Sequence, residues 1–168
     1  MSACDAIASW DRFACRLGEN RANFIAGYPE AASLIDADVE IKTLMDFVRY
    51  TPKALWIGLA APFPSDWLSE GHQPGARIMR FVSGAEMAFA YIAYLGVLFA
   101  VARRWTSTPA VWATLGAATV VVLIYTVAIP NVGTLYRMRL AAWHVWLGLG
   151  CVFLATLWMS RGGSRKIE

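Results

Sequence analysis

Charge is the scarcest property of this 168-residue chain: only 16% of its side chains are Asp, Glu, Lys or Arg, against about 25% in an ordinary soluble domain. Histidine and cysteine are also sparse, with two His and three Cys. Cys4, Cys15 and Cys151 lie too far apart for a zinc, haem or iron–sulfur spacing, and His72 stands alone in a Gly/Pro stretch. No Walker loop, dinucleotide fingerprint or nucleophile elbow is present. These gaps exclude the common nucleotide-dependent and metal-dependent enzymes, so the sequence is read without cofactor and without metal. The Arg residues sit singly or in pairs beside apolar runs, which is no nucleic-acid patch.

Apolar side chains fill the space left by charge. The chain is 58% hydrophobic, carries eight Trp, and has a mean hydropathy of +0.46. Crossing a bilayer takes roughly 20 apolar residues. Three runs reach that length: Gly84 to Ala102, Ala110 to Ile129 between Pro109 and Pro130, and Leu140 to Met159. The expected fold is therefore all-α, an integral membrane protein with three transmembrane helices. Small residues recur in the spans (Gly96; Gly116, Ala117 and Ala118; Gly148 and Gly150), as close helix packing in lipid requires.

The polar side chains are concentrated before the first span. Residues 1–70 hold six basic and ten acidic side chains, net −4, whereas residues 71–168 hold nine basic and two acidic, net +7. Residues 1–83 read as a helical, partly interfacial region, 84–160 as the membrane region and 161–168 as a basic tail. Ile7, Trp10, Phe13, Ala14 and Leu17 recur at helical spacing, which predicts an amphipathic helix from Asp5 to Ala26 whose apolar face meets protein or the membrane interface. A second helical stretch covers Lys42 to Tyr50. Pro52 then opens an apolar piece, Ala54 to Ala61, too short to span and expected to lie at the interface or re-enter.

Basic residues set the expected orientation. Arg103 and Arg104 after span one, with Arg161, Arg165 and Lys166 after span three, place those ends in the cytoplasm, and the Pro130–Arg139 loop outside. Residues before Gly84 then face outward. No signal peptide precedes them, since Asp5, Asp11, Arg12 and Arg16 interrupt any apolar core, so the chain is expected to be a partial or split protein if that orientation holds.

Several stretches carry a family resemblance: Arg21-Ala-Asn-Phe24-Ile25, Ala32-Ser33-Leu-Ile-Asp36, Ala61-Pro62-Phe63-Pro64, Glu86, and above all Asn131-Val-Gly133-Thr134-Leu-Tyr136-Arg137-Met-Arg139. In this order they resemble the C-terminal part of large polytopic bacterial membrane proteins associated with surface-polysaccharide assembly. In those proteins the Asn-x-Gly-Thr-x-Tyr-Arg-x-Arg stretch leads into a closing transmembrane segment. The resemblance implies a bacterial inner-membrane setting and a cell-envelope glycan carried on a polyprenyl diphosphate.

The polar groups at the outer ends of the spans are the candidate site. Asn131, Tyr136, Arg137 and Arg139 would meet a lipid diphosphate headgroup, because guanidinium is always charged and donates in a fork. Glu86 would orient an Arg or act as acid/base, with His144 as a proton-transfer group. A helix starting near Leu135 would set Arg137 and His144 seven residues apart on one face. Each has a plainer reading. Arg137 and Arg139 serve equally as snorkelling anchors, Glu86 as the partner of an Arg between helices, His144 as an interfacial side chain beside Trp143 and Trp146, and Gly133-Thr134 as a turn. Two functions follow: assembly or export of the glycolipid, or a non-catalytic accessory subunit packed on a larger membrane complex.

Overall fold

The computed structural model describes residues 3–6, 9–29, 33–68, 75–103 and 108–163. Ile7, Ala32, His72, Arg104, Arg165 and Lys166, named above, lie outside the described residues. Six α-helices and two short 3-10 turns, Ala3–Ala6 and Pro64–Asp66, make up the described structure, and no strand occurs there. The helices are α1 (Ser9–Gly27), α2 (Leu44–Ala60), α3 (Ala76–Ala102), α4 (Pro109–Ala128), α5 (Val132–Met138) and α6 (Leu140–Gly163). The fold is all-α, and α3, α4 and α6 are long and apolar enough to cross a membrane.

The chain divides into two compact units, 1–62 with 120–140, and 63–119 with 141–168. In the first, α1 and α2 pack through Ala14, Leu17, Ile41, Tyr50 and Ala54, with Val127 closing the cluster. The Asp11 carboxylate accepts from the Leu44 amide at 2.7 Å and so ties α1 to the first turn of α2. That turn is closed by a capping box: Thr43 Oγ1 accepts from the Asp46 amide, and Asp46 accepts from the Thr43 amide. Donation to the Asp46 carboxylate from the Thr43 hydroxyl, then from the Thr43 and Lys42 amides, holds its carboxyl below its ordinary range.

Helix boundaries differ from the sequence reading in places. The stretches on either side of Pro52 form one helix, α2, in which Pro52 costs a hydrogen bond without ending the helix. α6 begins at Leu140, where the third apolar run begins, and the helix that would have started near Leu135 is a separate one, α5, parted from α6 at Arg139. Arg137 and His144 therefore do not share a helix. α3 also begins eight residues before Gly84, because Arg77 and Arg80 lower the hydropathy of its opening turns without preventing helix.

In the second unit α3 and α6 meet backbone to backbone. A Cβ on Gly96 would collide with the Gly150 carbonyl and Leu154, and one on Gly150 with the Ala93 carbonyl. Gly116 and Gly148 have nothing within 4 Å of such a Cβ, so only part of the small-residue pattern serves this contact. Trp67 lies over Gly84 and stacks on Tyr91 at 6.1 Å. Tyr94 meets Trp146 edge-on at 5.9 Å and accepts a hydrogen bond from the Trp143 indole.

Candidate functional site

The first unit buries two guanidinium groups, and each closes the C-terminal end of a helix. The last four carbonyls of a helix lack intrahelical partners and carry its negative partial charge, so a cation is favoured there. Arg139, 1% exposed, donates to the Gly58 and Ala61 carbonyls where α2 ends. Its guanidinium lies 5.5 Å from the centre of the Tyr136 ring. Arg21, also 1% exposed, donates to the Val127 carbonyl in the last turn of α4 at 3.2 Å. Its other terminal nitrogen donates to the carbonyls of Ile35 and Asp36, at 2.8 and 2.7 Å.

The Asn131–Arg139 motif lies beside this cluster. Asn131 is the N-cap of α5, its side chain accepting from the Thr134 amide at 3.0 Å. The motif pairs with the segment Ser33–Asp36: the Ile35 amide donates to the Pro130 carbonyl at 2.9 Å, the Val132 amide to the Ser33 carbonyl at 3.1 Å, and Leu34 bridges Asn131 antiparallel. A Cβ on Gly133 would stand 4.0 Å from Ser33 Oγ. Thus Arg21, Ser33–Asp36, Ala61 and Asn131–Arg139, far apart in sequence, converge in one unit.

Asp36 organises the polar side of the cluster. It holds a left-handed backbone, φ 51°, which Asp tolerates better than most residues. Its carboxylate accepts from the Tyr50 hydroxyl at 3.2 Å and from Lys53 at 2.7 Å. Tyr50 in turn lies under the Arg21 guanidinium at 5.4 Å, and burial pushes its phenol up to about 12. The crevice lined by Arg21, Tyr50, Ile57, Thr126, Asn131 and Leu135 has no room for a water molecule. Arg21 Nε is buried there without a hydrogen-bond partner. The terminal nitrogens of both guanidiniums are thus directed at main-chain carbonyls, so this arrangement fixes the ends of α2 and α4.

The other expected site residues lie elsewhere. Arg137, in the last turn of α5, is exposed. Glu86, on α3, and His144, on α6, belong to the second unit, and both are exposed; the His144 ring meets Trp143 edge-on at 5.8 Å.

Sequence reading missed Arg21, Asp36, Tyr50 and Lys53 as a cluster, and the disulfide between Cys4 and Cys15. Arg21 had a signal: it follows Ala14 and Leu17 on the helical i, i+3, i+7 stripe, so it lies on the apolar face. The disulfide had none, because Cys4 comes from the 3-10 turn before α1 and the helical register of Cys15 says nothing about it. Cys4, Cys15 and Glu19 place their ligand-type atoms within 4.8 Å of one another, with the two sulfurs joined. No protein family, curated protein or solved structure matches the chain.

Proposed function

We propose that this chain is a non-catalytic accessory subunit of a larger membrane complex. The observation that carries this reading is the commitment of the two buried guanidiniums. A diphosphate site needs forked donors open to a ligand, whereas Arg21 and Arg139 spend theirs on the carbonyls that end α4 and α2. The lipid-depth helices fit the same role. Only 11% of the apolar window of α6 is buried, so most of that surface is left for lipid or for another protein. The Cys4–Cys15 disulfide supports an outward-facing N-terminal region, since disulfides persist in oxidising compartments such as the bacterial periplasm.

A stoichiometric partner after mild-detergent extraction of the full chain tests this reading. Recovery of the chain alone, from membranes that also hold every candidate partner, would overturn it.

Exposed Arg137 favours a second reading, contact with a polyprenyl diphosphate headgroup during assembly or export of a cell-envelope glycan. That reading expects saturable retention of polyprenyl diphosphate that is lost in Arg137→Lys. The subunit reading expects no such dependence.

A further inference from the structure

Between Arg80 and Arg103, α3 carries one charged side chain, Glu86. At a rise of about 1.5 Å per residue, it stands about 15 Å from Ala76 and about 24 Å from Ala102. A hydrocarbon core about 30 Å thick, with Arg103 at one boundary, reaches back about 20 residues along the helix and leaves Glu86 about 4.5 Å inside. The side chain is exposed, as are Val82 one turn before it and Phe89 one turn after it. No hydrogen bond or ion pair joins Glu86 to the described residues. An acidic side chain facing lipid inside the boundary is costly, and lipid tails offer it no compensating partner.

We propose that the face carrying Val82, Glu86 and Phe89 seats a transmembrane helix of a partner protein, one with a Lys or Arg within a turn of the depth of Glu86. Charge complementarity selects this occupant over a second copy of the chain. Within a turn of the depth of Glu86 the described spans offer no Lys or Arg: Arg80 stands six residues, about 9 Å, away along α3, none lies between residues 81 and 102, none in α4, and none in α6 before Arg161. A cation on a foreign helix relieves the isolated carboxylate and fixes register at the same time. The inference rests on the accessory-subunit reading and names the surface and the chemistry of its partner.

The test places photoreactive p-benzoylphenylalanine at Phe89 in the full chain, in its native membrane. The same probe at exposed Val152 on α6 samples a different helix. The expected adduct from position 89 joins a membrane-spanning peptide that holds a Lys or Arg within four residues of the cross-link. Its yield should fall at least about tenfold in Glu86→Gln and persist in Glu86→Asp, because removing one member of a desolvated pair strands the other. An intact Cys4–Cys15 disulfide in the Gln variant, read by thiol alkylation, controls for folding. An adduct from position 89 only to lipid or to a second copy overturns the inference, as does a partner adduct that Glu86→Gln leaves unchanged. If a partner still co-purifies and cross-links from Val152 alone, this inference fails while the subunit reading stands. If neither position yields a protein adduct and nothing co-purifies, both fail.

Discussion

Replacing Arg139 with Met keeps the length and apolar stem of the side chain and removes the fork that closes α2. Two hydrogen bonds from a charged donor to buried carbonyls contribute about 1.5–3 kcal/mol each, and a cation at a helix end adds about 0.3–1. Relief from burying a charge returns part of that sum. The expected net loss is about 3–5 kcal/mol. Arg139→Lys keeps the charge but, as a point cation, satisfies one carbonyl well, so it should fall about midway. Exposed Arg137 supplies the control: Arg137→Met should change stability by no more than about 0.5 kcal/mol. Unfolding of the full chain by denaturing detergent in mixed micelles, followed by fluorescence of its eight Trp, measures all three against wild type. Equal losses for Arg137→Met and Arg139→Met, or an Arg139→Lys variant as stable as wild type, would refute the assignment of Arg139 to the end of α2.

Other consequences are open to direct measurement. Alkylation before reduction should find one reactive thiol, Cys151, and three after it. Cys15→Ser should cost about 3 kcal/mol, the loop-closure value for a ring of this size. Gly150→Val should disrupt the α3–α6 contact and lower thermal stability by at least about 2 kcal/mol, since the new atoms meet main chain that cannot swing aside, whereas Gly148→Ala should be tolerated. For Tyr50 the phenol value is raised on folding, so its contribution is complete below the ordinary value of 10.0 and is lost as pH rises through about 12. Alkaline titration of phenolate absorbance should show a late-ionising tyrosine in wild type that Tyr50→Phe lacks.

The three membrane helices were legible because hydropathy over 20 residues is a collective property, insensitive to any one side chain. The end of α3 at Ala102, both ends of α4 to within one residue and the start of α6 at Leu140 follow the apolar runs, whereas ends that depend on partners distant in sequence were not legible. Nothing between Tyr136 and Ala141 resembles a helix breaker; α5 and α6 part at Arg139, the residue whose side chain is drawn to Gly58 and Ala61. Pro52 reads as a boundary by composition, yet α2 runs through it, with Ala54, Ile57 and Gly58 buried beyond the proline. A single buried arginine is likewise invisible to composition, which counts it as surface. Of the candidate site, the residues of the Asn131–Arg139 motif were identified, but the main-chain role of Asn131 and Arg139 required knowing which carbonyls stand opposite them. Glu86 was found as an isolated charge in an apolar run, a signal that survives intact in the folded helix.

Native mass spectrometry of the chain, ejected from bilayer fragments cut directly from its own membrane, bears most directly on whether this is a subunit. The accessory-subunit reading expects the 18.5 kDa chain to leave in a stoichiometric complex with a second, larger membrane protein. A lone 18.5 kDa species carrying a polyprenyl diphosphate, lost in Arg137→Lys, would contradict it.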